Sequence, residues 1–524
     1  MTERRKHWGW GAESAQPTRE ALEGMRGLAQ ERLGFGGEEV EEPVPLDRVE
    51  LAAPRVSPPA SLAEICSDDP HSRTTHALGK AYRDVVRGFR GDFPNPPDVV
   101  ASPRDEVEVE AVLSWCCDEG FAAIPYGGGT SVCGGIEPKL PREYPGVVTI
   151  DLGALDRVLE VDEVSRAARI QAGARGPVLE DQLRERGLTM RCFPQSFEFS
   201  TLGGWIATRA GGHFATRLTH VDDMVESVRA ITPSGAWESR RLPGSGAGPS
   251  PDRMLIGSEG ILGIITEAWV RVLPRPTFKT SCGVEFASFA SGAAAVRDLS
   301  QSGLDPANCR LLDAGEAAFT QAGTGESALL VLGFESAHHP VDGDMQVAVE
   351  VARAHGGIPG EVRSQDSSAG REDSVGAWRS AFLAAPYLRD SLVALGVLSE
   401  TFETAITWDR FDEFYSTVTE AGEPAKVTCR FTHVYPDGPA PYFTVLAPAR
   451  RGAEVEQWDE IKAAVSEALI EAGGTITHHH AVGRDHRPWY DRQRPEPFAE
   501  ALRAAKAALD PAGVLNPGVL IDPL

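Results

Sequence analysis

Residues 124–136 read IPYGGGTSVCGGI, a run of small residues set directly behind a short apolar segment. Three consecutive glycines, Gly127, Gly128 and Gly129, open backbone conformations closed to residues with a Cβ, and they let another molecule approach the main chain. Thr130 and Ser131 add hydroxyls. Successive exposed N–H groups in such a loop form an anion-binding concavity, so a phosphate or pyrophosphate suits it; an ordinary glycine-rich surface turn is the other reading of these residues.

Upstream of the loop, Asp105 can cap a helix in which Val109, Val112, Leu113 and Cys116 recur at helical spacing, and Gly120 can end it. A strand over 122–125 then delivers the loop. Downstream, 147–152, 157–162 and 166–171 read as strands, followed by a helix from Pro177 that Gly187 closes. This mixed spacing predicts an α+β domain in place of regular βαβ units. Two further glycine-bearing stretches follow. PQSFEFSTLGGWIATRAGG (194–212) puts Ser200 and Thr201 before an apolar segment with Gly203 and Gly204, which suits either a second cofactor loop or a tightly packed helix. IGSEGILGIITE (256–267) again lets backbone approach a ligand or a neighbouring strand.

Composition shifts near 274–278, where a second domain is expected. Its strands fall near 282–286, 309–312, 328–334, 427–434 and 442–446, and its helices around 293–296, 345–354, 410–421 and 455–472. The pattern is an antiparallel sheet covered by helices. The expected division is a wrapping segment over 1–91, with residues 36–59 as an extended strap, a cofactor domain over 92–275, a cap over 276–500, and a return to the first domain over 501–524.

The chain has 524 residues, 42% hydrophobic and 24% charged, as in an ordinary globular protein. A formal net charge of −25 argues against nucleic acid as a partner while leaving room for a local basic pocket. Eight cysteines without paired metal-like spacing, the absence of a secretory core at the N-terminus, and the lack of a membrane-spanning run favour a cytoplasmic protein. Peripheral membrane contact and a homodimer are both left open.

Several residues are candidates for chemistry. His478, His479 and His480 form a contiguous trio; on a strand, His478 and His480 would face one way and His479 the other. No Cys, Asp or Glu cluster stands at ligand spacing beside them, so acid/base use ranks above a metal site, and a solvent-facing strand end is the remaining reading. Arg310 lies in the otherwise apolar strand CRLLD, where its guanidinium needs either an anionic substrate or a carboxylate such as Asp313. Tyr442 could present a phenol to the same space or serve as a core aromatic. Arg389 and Arg430 read as pocket cations or solvated charges, and His338, His339 and His486 as surface residues.

Taken together, PYGGGTSVCGG, SFEFSTLGGWIATRAGG, IGSEGILGIITEA and HHHAVGRDHRPWY, in this order, resemble the alkyldihydroxyacetonephosphate synthases, a branch of the vanillyl-alcohol-oxidase-type FAD flavoproteins. CRLLD and ETFETAITWDR are similar to that branch as well. The resemblance implies a two-subdomain FAD-binding domain plus a cap. FAD would be held non-covalently by Pro125, Gly127–Gly129, Thr130 and Ser131, by Pro194, Ser200, Thr201, Gly203, Gly204 and Thr208, and by Glu259, Gly260, Gly263 and Ile265. A cysteinyl link through Cys133 is a minor alternative. It further implies that acyl-dihydroxyacetone phosphate, a phosphate-bearing lipid, exchanges its acyl group for a fatty alcohol without net redox change. Arg310 would hold the phosphate, the trio would assist removal of a proton from the C1 carbon, and Tyr442 would be the acid/base group. Two departures stand out, Ala481 in place of a glycine after the trio and Phe443-Thr444 in place of a more aromatic run. An FAD-linked oxidoreductase of a 2-hydroxy acid such as D-lactate or glycolate is the alternative, and a non-enzymatic flavin- or lipid-binding protein the third class.

Overall fold

The computed structural model describes residues 4–212, 214–364 and 374–522. Helix Glu106–Glu119 forms as its sequence predicts: the Asp105 side chain accepts the Glu108 N–H, and Gly120 ends the helix at a φ of 69°. It packs on a small sheet ordered Cys66–Ser67, Val99–Ala101, Val147–Asp151, Ala122–Tyr126, the last three strands parallel. Ala122–Tyr126 therefore carries the glycine loop out of the C-terminal end of a parallel strand. Its open edge is covered by residues 514–516: Ala123 N–H donates to the Val514 carbonyl at 2.8 Å, and Asn516 N–H to the Ala123 carbonyl at 2.9 Å.

A second, wholly antiparallel sheet runs Val158–Asp162, Ala167–Gln171, Ile264–Arg271, Val225–Thr232, Gly235–Glu238. One apolar core, with Val112, Leu113, Ile150, Leu179, Ile206 and Val270 among its members, joins both sheets. The segment expected to wrap the domain contributes more than a strap. Cys66–Ser67 is an edge strand, Tyr82–Phe89 is a helix, and Trp8 and Trp10 are buried with Phe89, Leu392 and Leu446 in a separate cluster. Residues 36–59 hold only one short turn, Leu46–Arg48.

The cap is an eight-stranded sheet. Its order is Ile358–Pro359, Phe278–Phe286, Ala328–Ser336, Asn308–Leu312, Lys426–Val434, Pro439–Pro448, Val397–Glu403, with Arg363–Ser364 also on Phe278–Phe286, and every pairing is antiparallel. Helices Phe289–Gln301, Asp342–Ala354, Phe411–Ala421 and Glu454–Glu471 cover one face, burying Leu311, Leu330, Cys429, Phe431, Phe443 and Val445. The strand Val397–Glu403 was not foreseen, because polar residues occupy both of its faces and leave no period-two apolar signal: Ser399, Thr401 and Glu403 on one side, Glu400 on the other.

Residues 501–522 return to the first domain through Lys506. Its ammonium is 3% exposed and donates to Asp510 Oδ2 at 2.6 Å and to the Ile261 and Leu515 carbonyls at 2.7 Å each. Replacing one partner of a buried pair strands the other charge, at a cost of about 3–5 kcal/mol. Lys506→Met is therefore expected to lower the urea midpoint of the cofactor domain strongly, and Asp510→Asn to do so less, both read by denaturant unfolding.

Candidate active site

A cavity of about 260 Å³ lies between the glycine loop, the 194–212 segment and the uncovered face of the cap sheet. Among the residues singled out from sequence, it is lined by Gly127, Gly128, Gly129, Thr130, Ser131, Pro194, Ser200, Thr201, Gly204, Thr208, Arg310, Arg389, Arg430, Tyr442, His479 and His480. Pro125, Gly203, Glu259, Gly260, Gly263, Ile265 and His478 are not in the lining. Gly203 packs on Ala172, and Gly260, at a φ of 78°, faces the Pro125 ring.

The loop suits an anion. Among the described residues, the backbone N–H groups of Gly128, Gly129, Thr130 and Ser131 meet no acceptor, so consecutive donors stand open beside the cavity. A Cβ at Gly128 would collide with the Phe199 carbonyl and one at Gly127 with the Thr201 hydroxyl, which explains the glycines by close approach of the second segment. Thr201 caps helix Leu202–Thr208 by accepting the Gly204 N–H. These unanswered donors fit a pyrophosphate such as that of FAD. Cys133 is turned away: its thiol meets the His480 carbonyl at 3.2 Å, and burial holds it well above the usual thiol range.

The cap contributes a polar sheet face. Arg430, Tyr442 and Glu403 stand opposite one another on three adjacent strands, and Thr444 is level with both Thr428 and Thr401. The alternation T-C-R-F-T over 428–432 sends Cys429 and Phe431 into the core, and Arg430 and Thr432 to the cavity. Arg430 pairs with Glu316 and lies 3.9 Å from the Tyr442 ring centroid. Arg310, 3% exposed, donates to Asn308 Oδ1 at 2.9 Å. Burial, and then the neighbouring Arg430, push its guanidinium down to about 10, so an anion entering the cavity would be stabilised there. Asp313 is not its partner; it caps helix Ala314–Phe319 and accepts the Cys429 N–H. Arg389 donates to the Lys80 carbonyl at 2.9 Å.

The trio does not lie on a strand, and the reason is a single carboxylate. Glu403, 2% exposed, accepts the N–H groups of His478, His479 and His480 at 2.6, 2.8 and 2.8 Å, together with the Thr477 hydroxyl. Three consecutive N–H groups can converge on one side chain only in a tight bend, since strand N–H groups alternate. Burial opposes the charge of Glu403, but His479 foremost among its neighbours outweighs it and holds the carboxyl well below its ordinary range. Ala481, where the resembling family carries glycine, takes a left-handed φ of 72°. Val482 and Gly483 then donate to Glu259 at 2.9 and 2.8 Å. Burial pushes that carboxyl up to about 7.

The trio rings diverge. His480 stands edge-on to Tyr442 at 5.6 Å and His479 lies 6.3 Å from it. His478 points behind the cavity, with Nε2 2.8 Å from the Tyr435 hydroxyl. Burial holds His433, His478 and His480 well below the ordinary imidazole value, so they are neutral at pH 7. Ring nitrogens of His433, His478 and His479 lie within 4.8 Å of one another, a spacing that a metal ion could also use. His486 is not at the surface; it is buried, meets the Ala481 carbonyl at 2.7 Å, and is pushed down to about 3 by burial. Glu403, Glu316, His433 and Tyr435 were given no role from sequence.

A carboxyl held below its ordinary range contributes stability that is present at neutral pH and lost as pH falls through its folded value. Glu403→Gln is accordingly expected to unfold at lower urea than the parent at pH 7, with the gap closing as pH drops below the usual carboxylate range. Parallel midpoints from neutral pH down to about pH 2 check this.

Comparison with known proteins agrees with this geometry. Residues 97–239 match the FAD binding domain family, and residues 275–520 match the C-terminal domain of FAD linked oxidases. An alkyldihydroxyacetonephosphate synthase of Dictyostelium discoideum is 30% identical over 550 residues, covering 95% of this chain and 88% of the relative. A solved alkyldihydroxyacetonephosphate synthase superposes with a TM-score of 0.79 at 25% identity, covering 98% of each chain. The p-cresol methylhydroxylase structure, at 14% identity and a TM-score of 0.71 over 88% of this chain and 95% of that one, shares the fold. The matched domains make FAD the cofactor, and the identity sustained over almost the whole length shows that this chain belongs to the alkyldihydroxyacetonephosphate synthase family.

Proposed function

We propose that the enzyme exchanges the acyl group of acyl-dihydroxyacetone phosphate for a long-chain alcohol, forming an ether lipid precursor. The observation that carries this reading is the convergence of Arg310, Arg430 and Tyr442 on one polar sheet face with the His479 and His480 rings of the neighbouring loop, beside the glycine loop. At another part of the same cavity, Trp10, Phe319, Pro386, Leu388 and Leu392 make an apolar wall suited to a hydrocarbon chain, whose burial contributes about 0.8 kcal/mol per methylene. A small 2-hydroxy acid has no use for that wall.

Gly127–Ser131 and the 200–208 segment would hold FAD, which supplies an electrophilic centre and lets the exchange proceed without net oxidation. Arg310 binds the substrate phosphate, with Arg430 raising the local positive potential while its own charge is shared with Glu316 and the Tyr442 ring. The rings of His479 and His480, which line the cavity, are placed to accept the proton from the carbon next to the ketone. Tyr442, level with Glu403 and beneath Arg430, gives a proton to the departing carboxylate and takes one from the incoming alcohol. On this reading the enzyme works in the cytoplasm and meets its lipid substrate by peripheral membrane contact.

The test is the purified yellow protein under anaerobic conditions. Acyl-dihydroxyacetone phosphate and a long-chain alcohol should give the ether with the flavin spectrum left oxidised. Bleaching by D-lactate or glycolate without ether formation would replace the reading with a dehydrogenase. Arg310→Met removes a charged hydrogen bond worth about 1.5–3 kcal/mol, so kcat/KM should fall roughly 10- to 150-fold. Tyr442→Phe should lower kcat by about 100-fold or more with a smaller change in KM.

A further inference from the structure

We propose that His478 and Tyr435 form the exit by which the proton taken from the substrate leaves the cavity for solvent; the assignment rests on the proposed transferase reading. Four side chains make a continuous line. His479 lines the cavity, and its Nδ1 lies 3.0 Å from His478 Nδ1. His478 Nε2 is 2.8 Å from the Tyr435 hydroxyl, which is 3.0 Å from Thr219 Oγ1. Tyr435 is half-buried beside exposed Pro436 and Asp437, and the carboxylates of Asp223 and Asp437 act on its phenol from the solvent side.

Hydrogen-bond directions along this line are self-consistent. His479 Nδ1 faces His478 and, at 3.2 Å, Glu403 Oε2, which leaves Nε2 as the nitrogen for the cavity. A proton arriving at Nε2 releases the Nδ1 proton to His478 Nδ1; His478 passes its Nε2 proton to the Tyr435 oxygen, and the phenolic proton leaves towards water beside exposed Pro436 and Asp437, while buried Thr219 holds the phenol in line. The electron pair of the broken C–H bond stays on the substrate as an enolate, which regains one solvent proton at C1 when the ether forms. One proton enters and one leaves, so the protein ends with its original charge. The surroundings keep the line in place: Glu403 pins the backbone of both histidines, His220 donates Nε2–H to the His478 carbonyl at 3.0 Å, and His433 packs 5.0 Å from the His478 ring. Burial keeps His478 neutral and raises the Tyr435 phenol to about 12, the protonation states that the relay requires at rest.

The experiment uses acyl-dihydroxyacetone phosphate deuterated at C1 and the flavin-loaded enzyme, measuring deuterium released to water and deuterium retained in the ether. Tyr435→Phe keeps the ring and breaks the line. It should lower deuterium release per turnover by at least about fivefold, with flavin content unchanged. Thr219→Val, which leaves the phenol–His478 contact in place, should lower release by a smaller factor. Release per turnover equal to the parent's in both variants would overturn the relay, because a purely structural tyrosine would alter rate or stability without altering where the proton goes. A parent enzyme that forms no ether would overturn the transferase reading, and the relay with it.

Discussion

The loop that carries the histidine trio exists because two buried carboxylates collect its backbone N–H groups. Glu403 of the cap takes those of His478, His479 and His480, and Glu259 of the FAD domain takes those of Val482 and Gly483. A charged acceptor such as Glu403 contributes about 1.5–3 kcal/mol per hydrogen bond, so the loop is held more firmly than a surface turn of its length. The two acids come from different domains, so the trio is positioned relative to the glycine loop and to the cap sheet at once. Between the two anchors, Ala481 reverses the chain at a φ that favours glycine, a strain that these hydrogen bonds sustain.

Electrostatics separates the surface from the site. The chain carries a net charge of −25, yet Arg310 and Arg430 are both buried on one polar sheet face. Glu316, reaching in from a helix whose first turn is capped by Asp313, offsets part of the Arg430 charge. The opposite face of the same strands is built from Cys429, Phe431, Phe443 and Val445. A two-faced sheet of this kind lets the cap bury a hydrophobic core and offer a charged floor without adding a separate element for either task.

Much of this was legible in the sequence. The helix Glu106–Glu119 announced itself by cap and period, the glycine loop by composition, and a strand was expected near 427–434, where Lys426–Val434 forms. Arg310 stood out as a charge in an apolar strand, and it does line the cavity. The rest depended on tertiary contacts that no local pattern encodes. The trio looked like a strand because nothing nearby in the sequence says that a glutamate some seventy-five residues earlier will draw three successive N–H groups together. Val397–Glu403 escaped notice because Glu400 is buried by Lys462 and Trp458 on one face while Glu403 is buried by the trio on the other. Glu259 and Gly260 sit in a motif resembling cofactor contacts; Glu259 holds the loop after the trio and Gly260 faces the Pro125 ring.

The pairing of Ala123 with residues 514–516 imposes an order on biosynthesis. A ribosome delivers the strand that bears the glycine loop early and the segment that covers its edge only after the whole cap has emerged. Until then the parallel sheet of the cofactor domain has an unprotected edge, and Lys506, Asp510 and Asn516 have yet to meet Ile261 and Glu259. The cofactor cradle is therefore completed at the same moment as the chamber it serves, so a nascent FAD domain has little opportunity to close on its own.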